Sequence, residues 1–133
     1  MRVFFDTNVL AGALTSRGLC AELFERVALV HDPLIGAPVI DELLRVLADK
    51  LKVPPAELKR VRAELEEFEL ASPSDRLPAL QIKDRDDVPV LACALAAKAD
   101  VFVTGDKELL ALGAVEAMSI LAPRQLWEKL AAR

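Results

Sequence analysis

The sequence predicts an α/β protein, a parallel sheet with helices on both faces. Two observations carry this. Short apolar runs such as "VFF" at 3–5 and "VFV" at 101–103 alternate with helical patterns along the whole chain. Alternation of that kind builds parallel sheets through right-handed crossovers. In addition, "VPVLACALAAKA" at 88–99 is apolar on nearly every side, as a helix covered by its neighbours must be.

Residues 2–5 read as a buried strand rich in Val and Phe. Residues 8–14 continue as a helix, with residues 6–8 as capping candidates. Gly18 opens a second helix, in which Leu19, Leu23, Val27 and Val30 recur at helical spacing. Asp32-Pro33 reads as a turn, and residues 34–37 as a strand ended by Pro38. Residues 39–51 carry Val39, Ile40, Leu43, Leu44, Leu47 and Leu51 on one helical face. Pro54-Pro55 breaks that helix, because the residue before a proline avoids helical backbone. Residues 55–70 repeat the pattern through Leu58, Val61, Leu65 and Phe68, giving an αα-hairpin over residues 39–70. Residues 71–80 are loop-like. Asp86 or Asp87 then caps the apolar helix, whose first turn tolerates Pro89. After the strand at 101–103, Asp106 caps "KELLAL" and Gly113 closes it. Residues 118–121 form a last strand, and Pro123 opens the final helix, where Trp127 is read as core.

The chain has 133 residues, 53% hydrophobic and 29% charged. These values exclude a disordered chain and fit one domain over residues 1–133, which buries about two thirds of its unfolded surface. An uncharged run such as residues 7–16, which no other run exceeds in length, falls short of the roughly 20 residues that span a bilayer. Asp6 interrupts any signal-like apolar segment. A soluble cytoplasmic protein with no membrane association is therefore expected.

Composition also narrows the chemistry. Cys20 and Cys93 lie in apolar helical patterns without metal-type spacing, so both are read as core. His31 is the sole histidine, and no nucleophile signature flanks it. Zinc sites of His and Cys lack ligands here. Any metal chemistry must use oxygen donors, which favours Mg²⁺ or Mn²⁺. The net charge of −4 does not advertise a nucleic-acid binder, although a local basic patch can act within an acidic chain.

Sites of parallel α/β sheets form at the carboxyl ends of strands. Asp6 ends the first strand, and Asp106 lies just past the strand at 101–103. Asp87 begins the helix that enters that strand, and Glu42 lies near the start of the helix after the second strand. These four carboxylates are expected on one rim. Two carboxylates about 5 Å apart repel by roughly 3 kcal/mol at an effective dielectric near 20. A helix N-terminus returns about 0.3–1 kcal/mol. A divalent cation offsets the remainder. Taken singly, Asp87 and Asp106 read equally well as helix caps, and Glu42 as a solvated helix residue.

"VFFDTNVL", "PVIDELLRVL" and "DRDDVPVLACALAAKADVFVTGDKELL" resemble the PIN-domain family, in particular its small single-domain prokaryotic branch of toxin-like members. The resemblance runs in order over nearly the whole chain. It implies a three-layer α/β/α sandwich and a metal-dependent ribonuclease. It also implies that Asp6, Glu42, Asp87 and Asp106 are the acidic quartet holding Mg²⁺ or Mn²⁺. Asn8 would orient Asp6, and Thr104 matches the hydroxyl residue ahead of the last Asp. Asp86 and Glu108 are nearby acids. Arg17, Arg45, Lys50, Lys52 and Lys107 are candidate RNA contacts. The family branch implies an antitoxin partner, and the apolar helices leave room for a homodimer. Two other readings stand beside this one: a catalytically idle binding module on the same fold, and an aspartate-nucleophile phosphatase, which would need an acid where Asn8 stands.

Overall fold

The computed structural model describes residues 1–80 and 82–132, a succession of strands mostly joined by one or two helices. In chain order they are β1 (Arg2–Phe5), α1 (Thr7–Thr15), α2 (Leu19–Val30), β2 (Asp32–Gly36), α3 (Ala37–Asp49), α4 (Pro55–Leu65), β3 (Glu69–Ala71), α5 (Asp87–Ala96), β4 (Val101–Val103), α6 (Lys107–Leu112), β5 (Ala114–Val115), β6 (Met118–Leu121) and α7 (Pro123–Ala131).

The strands form one sheet in the order β3-β2-β1-β4-β6-β5. Every neighbouring pair is parallel except the edge pair β5–β6. The two most apolar strands lie at the centre, where both faces are covered. Val3, Phe4 and Phe5 pair in register with Val101, Phe102 and Val103, and all six side chains are buried. The Phe4 and Phe102 rings stack at 5.3 Å. From β1 the chain moves outward through β2 to β3, then crosses back to β4 on the other side of β1. The strand order therefore reverses between β1 and β4, and a crevice opens beyond their carboxyl ends.

Right-handed crossovers place α1 to α4 on one face and α5 and α6 on the other. The packing agrees: α1 meets α2 and α3, α3 meets α4, and α7 meets α2. On the opposite face α5 lies on β2 and β3, and α6 on β6. The αα-hairpin of α3 and α4 is present. As its residues predict, α5 is buried through Val88, Val90, Leu91, Ala92, Cys93 and Ala94. The Cys93 thiol lies 3.1 Å from the Ala71 carbonyl oxygen, and both cysteines are free.

Several boundaries differ from the sequence reading. The second hairpin helix stops at Leu65 rather than continuing to residue 70, and Glu69–Ala71 pairs with β2 as an edge strand. Pairing with an existing edge overrides the helical pattern of so short a segment. Asp32-Pro33 is not a turn but the start of β2, with Pro33 opposite Val3. A proline is tolerated in a strand's opening residues. Pro38 lies in the first turn of α3 instead of ending the strand. At the junction of β2 and α3, Gly36 passes over the Phe4 ring so closely that an added Cβ would stand 2.6 Å from Phe4 Cζ. That clearance lets the chain turn from the sheet into the helix that carries Glu42.

Candidate metal centre

The strand ends build the site. Beyond the last pair of the central ladder, the Asp6 N–H donates to the Val103 carbonyl at 3.0 Å, so Asp6 and Thr104 leave the sheet side by side. The fully buried Thr104 hydroxyl donates to Asp6 Oδ2 at 2.7 Å. The Thr104 hydroxyl oxygen in turn accepts from the Asp106 N–H at 3.0 Å. Asp6 Oδ1 accepts the Thr7 N–H at 2.9 Å and caps α1. Asn8 donates its amide to Asp6 Oδ2 at 3.2 Å, while its Oδ1 accepts the Gly105 N–H at 2.8 Å. Asn8 thus fastens α1 to the turn after β4, with Asp6 held between. Asp106 caps α6 through Oδ1, which accepts from Glu108 N at 2.8 Å and Leu109 N at 3.4 Å.

Asp6, Glu42, Asp87 and Asp106 line a single cleft of about 400 Å³ at this edge, together with Asn8, Asp84 and Lys50. Glu42 arrives from the second turn of α3, and Asp87 from the first residue of α5. Glu42, Asp84 and Asp87 also face an adjoining recess of about 380 Å³, whose wall includes Arg45 and Asp86. Asp86 therefore belongs to the recess and not to the cleft. Of the two residues expected to cap α5, Asp86 occupies the N-cap position, but its side chain makes no cap bond. Instead, Asp84 Oδ1 accepts the Asp86 N–H at 3.0 Å. Of the basic candidates, Lys50 and Arg45 line these two hollows; Arg17, Lys52 and Lys107 line neither. Asp84 is the acid that the sequence reading missed. Its sequence signal is the "DRDD" run, three acids within residues 84–87.

Burial is the largest influence on Asp87, and the charges of Asp84, Asp6, Asp106 and Glu42 add to it, so that its carboxyl is pushed up to about 7. Burial also raises Asp6, against the hydrogen bonds from Thr104 and Thr7. Asp87 Oδ2 is shielded from solvent and has no hydrogen-bond partner. A buried carboxylate oxygen without a donor is costly unless it is protonated or faces a cation. Among the described residues, no three Asp, Glu, His or Cys side chains are drawn closely enough together to hold an ion as they stand. The carboxylates stand apart round the cleft, as like charges do. The donor set, all oxygen with one orphaned carboxylate oxygen, nevertheless fits Mg²⁺ or Mn²⁺.

Thr104 joins Asp6 to Asp106, so Thr104→Val should leave the Asp106 N–H without its acceptor and Asp6 Oδ2 without its shortest donor. A loss of about 1–3 kcal/mol is expected in urea unfolding, and Thr104→Ser should retain most of the stability.

A parallel α/β sheet whose strand order reverses at an acidic cleft defines a class of fold in which the site is built from loops at the strand ends. Within that class the PIN domain matches residues 2–108, and the chain belongs to the PIN-domain family. Among solved structures it is similar to VapBC2 from Rickettsia felis bound to a DNA fragment from its promoter, at 17% identity and a TM-score of 0.65, over 92% of this chain and 98% of that one. A toxin-antitoxin complex from Klebsiella pneumoniae is similar at 20% identity and a TM-score of 0.63, over 91% and 97%. No curated protein sequence matches the chain.

Proposed function

We propose that this chain is a metal-dependent endoribonuclease, the toxin component of a toxin–antitoxin pair. The observation that carries this reading is the arrival of four carboxylates from four separate elements at one cleft, with an Asp87 oxygen left buried and unpartnered. Asp6, Glu42, Asp87 and Asp106 would hold Mg²⁺ or Mn²⁺. When bound, the metal supplies a lowered pKa for attacking water and neutralises charge on the phosphate. Asn8 and Thr104 fix the direction of Asp6. One carboxylate of the set accepts the water's proton. Arg45 at the recess, about one turn beyond Glu42 on α3, and Lys50 at the cleft, the residue that ends α3, flank the acids and hold neighbouring RNA phosphates. The antitoxin partner rests on family membership and on the similar structure described as a toxin–antitoxin complex. No helix of the described residues is long and apolar enough to cross a membrane.

The phosphatase alternative is disfavoured by Asn8, which stands where an acid is needed and has both ends of its amide engaged with Asp6 and Gly105. The test is incubation of the purified chain with single-stranded RNA. Cleavage should require Mn²⁺ or Mg²⁺ and stop with EDTA, whereas cleavage that persists in EDTA would overturn the proposal.

A further inference from the structure

Asp106 and Asp87 reach the cleft from the starts of two different helices, α6 and α5, and something must hold their backbones in fixed relation. Asp87 follows residues 72–80 and 82–86, and among these described residues there is neither helix nor strand. Such a segment has backbone freedom to lose before it can place a side chain. Its last turn is locally tied: Asp84 O accepts the Asp87 N–H at 3.2 Å, and Arg85 donates to the Leu80 carbonyl at 2.7 Å. Neither bond connects the turn to the Asp106 side of the cleft.

Glu108 makes that connection. Its two carboxylate oxygens each lie 3.1 Å from the Lys83 backbone nitrogen, 25 residues away in sequence. Its own N–H donates to Asp106 Oδ1 at 2.8 Å. Among the described residues, no other side chain of α6 bonds residues 82–87, and Glu108 is not part of the cleft wall. Its charge is directed at a backbone N–H, an arrangement that gives a strong hydrogen bond, and not at the place an ion would occupy.

We propose that Glu108 is a positioning residue: by accepting the Lys83 N–H, it holds the turn bearing Asp84 and Asp87 against the strand end bearing Asp106. Its effect on the metal depends on the reading of the cleft given above and acts through the placement of Asp84 and Asp87. Partners that orient metal ligands typically change affinity by about 10–100-fold when removed.

The test uses the full chain with Glu108→Ala and Glu108→Gln. Amide hydrogen exchange at Lys83 is read without metal, and Mn²⁺ affinity is read by calorimetry. Gln keeps a carbonyl acceptor but no charge. Glu108→Ala should speed exchange at Lys83 and weaken Mn²⁺ binding, each by about tenfold or more, and Glu108→Gln should restore both to within about threefold. Unchanged Lys83 exchange in Glu108→Ala would overturn the clamp. Equal loss of Mn²⁺ affinity in the two variants would overturn it as well, because charge and not the bond would then matter. Absence of Mn²⁺ binding by the unaltered chain would overturn the reading of the cleft and the positioning role that rests on it. The exchange data from the same samples tell that failure apart from failure of the clamp.

Discussion

Asp6→Asn should lower RNA cleavage at least about 100-fold while shifting folding stability by no more than about 1 kcal/mol. The two expectations separate because of where Asp6 sits. Its Oδ1 caps α1 through the Thr7 N–H, and the Asn side-chain oxygen can do the same. Its Oδ2 accepts from Thr104 and Asn8, so an amide nitrogen there would face donors and lose hydrogen bonds. Against that loss, the substitution removes a charge that burial already disfavours. These effects oppose each other in stability and not in chemistry. The variant lacks the anionic oxygen at the point where the strand order reverses, and its one remaining side-chain oxygen is neutral and already engaged by the Thr7 N–H, so the hold on a divalent ion is weakened. Cleavage by Asp6→Asn at the wild-type rate, with urea unfolding unchanged, would remove Asp6 from the reaction.

The second large effect concerns the metal-free protein and pH. The Asp87 carboxyl is raised from 3.8 to about 7. A group raised on folding contributes stability that is complete below its unfolded value and is lost as pH climbs through its folded value. Metal-free wild type should therefore lose stability between about pH 4 and pH 7. Asp87→Asn, which has no proton to release, should flatten that slope and exceed wild type in stability at pH 8. Mn²⁺ should reverse the order. At 100 times its dissociation constant an ion stabilises the folded state by about 2.7 kcal/mol, and that gain should appear in wild type and be largely absent from Asp87→Asn. Thermal unfolding at pH 5 and pH 8, with and without Mn²⁺, reads all of these. A pH slope unaffected by Asp87→Asn would mean that the strain lies elsewhere.

The central strands were legible because each is an apolar run ending on a polar residue: "VFF" before Asp6 and "VFV" before Thr104. The long helices were legible through their periodicity. What escaped was set by pairing rather than by pattern. Glu69–Ala71 and Ala114–Val115 are strands of three and two residues, too short to show alternation, and they exist because β2 and β6 offer them an edge. The reversal of strand order between β1 and β4 has no local signature. The convergence of Asp6, Glu42, Asp87 and Asp106 was expected from the rule that sites form at strand ends, and all four line one cleft. Asp84 was overlooked because its neighbours Asp86 and Asp87 already supplied a helix cap, a role that Asp86 does not fulfil with its side chain. The bond from Glu108 to Lys83 depends on how a loop lies across α6, which no spacing in the sequence encodes.

The claim beneath all of this is that a divalent ion belongs among these acids. Crystals soaked in Mn²⁺ and measured for anomalous scattering address it directly. The account predicts a peak inside the cleft within bonding distance of carboxylate oxygens from Asp6 and at least two of Glu42, Asp87 and Asp106. A cleft without anomalous density at saturating Mn²⁺ would contradict it.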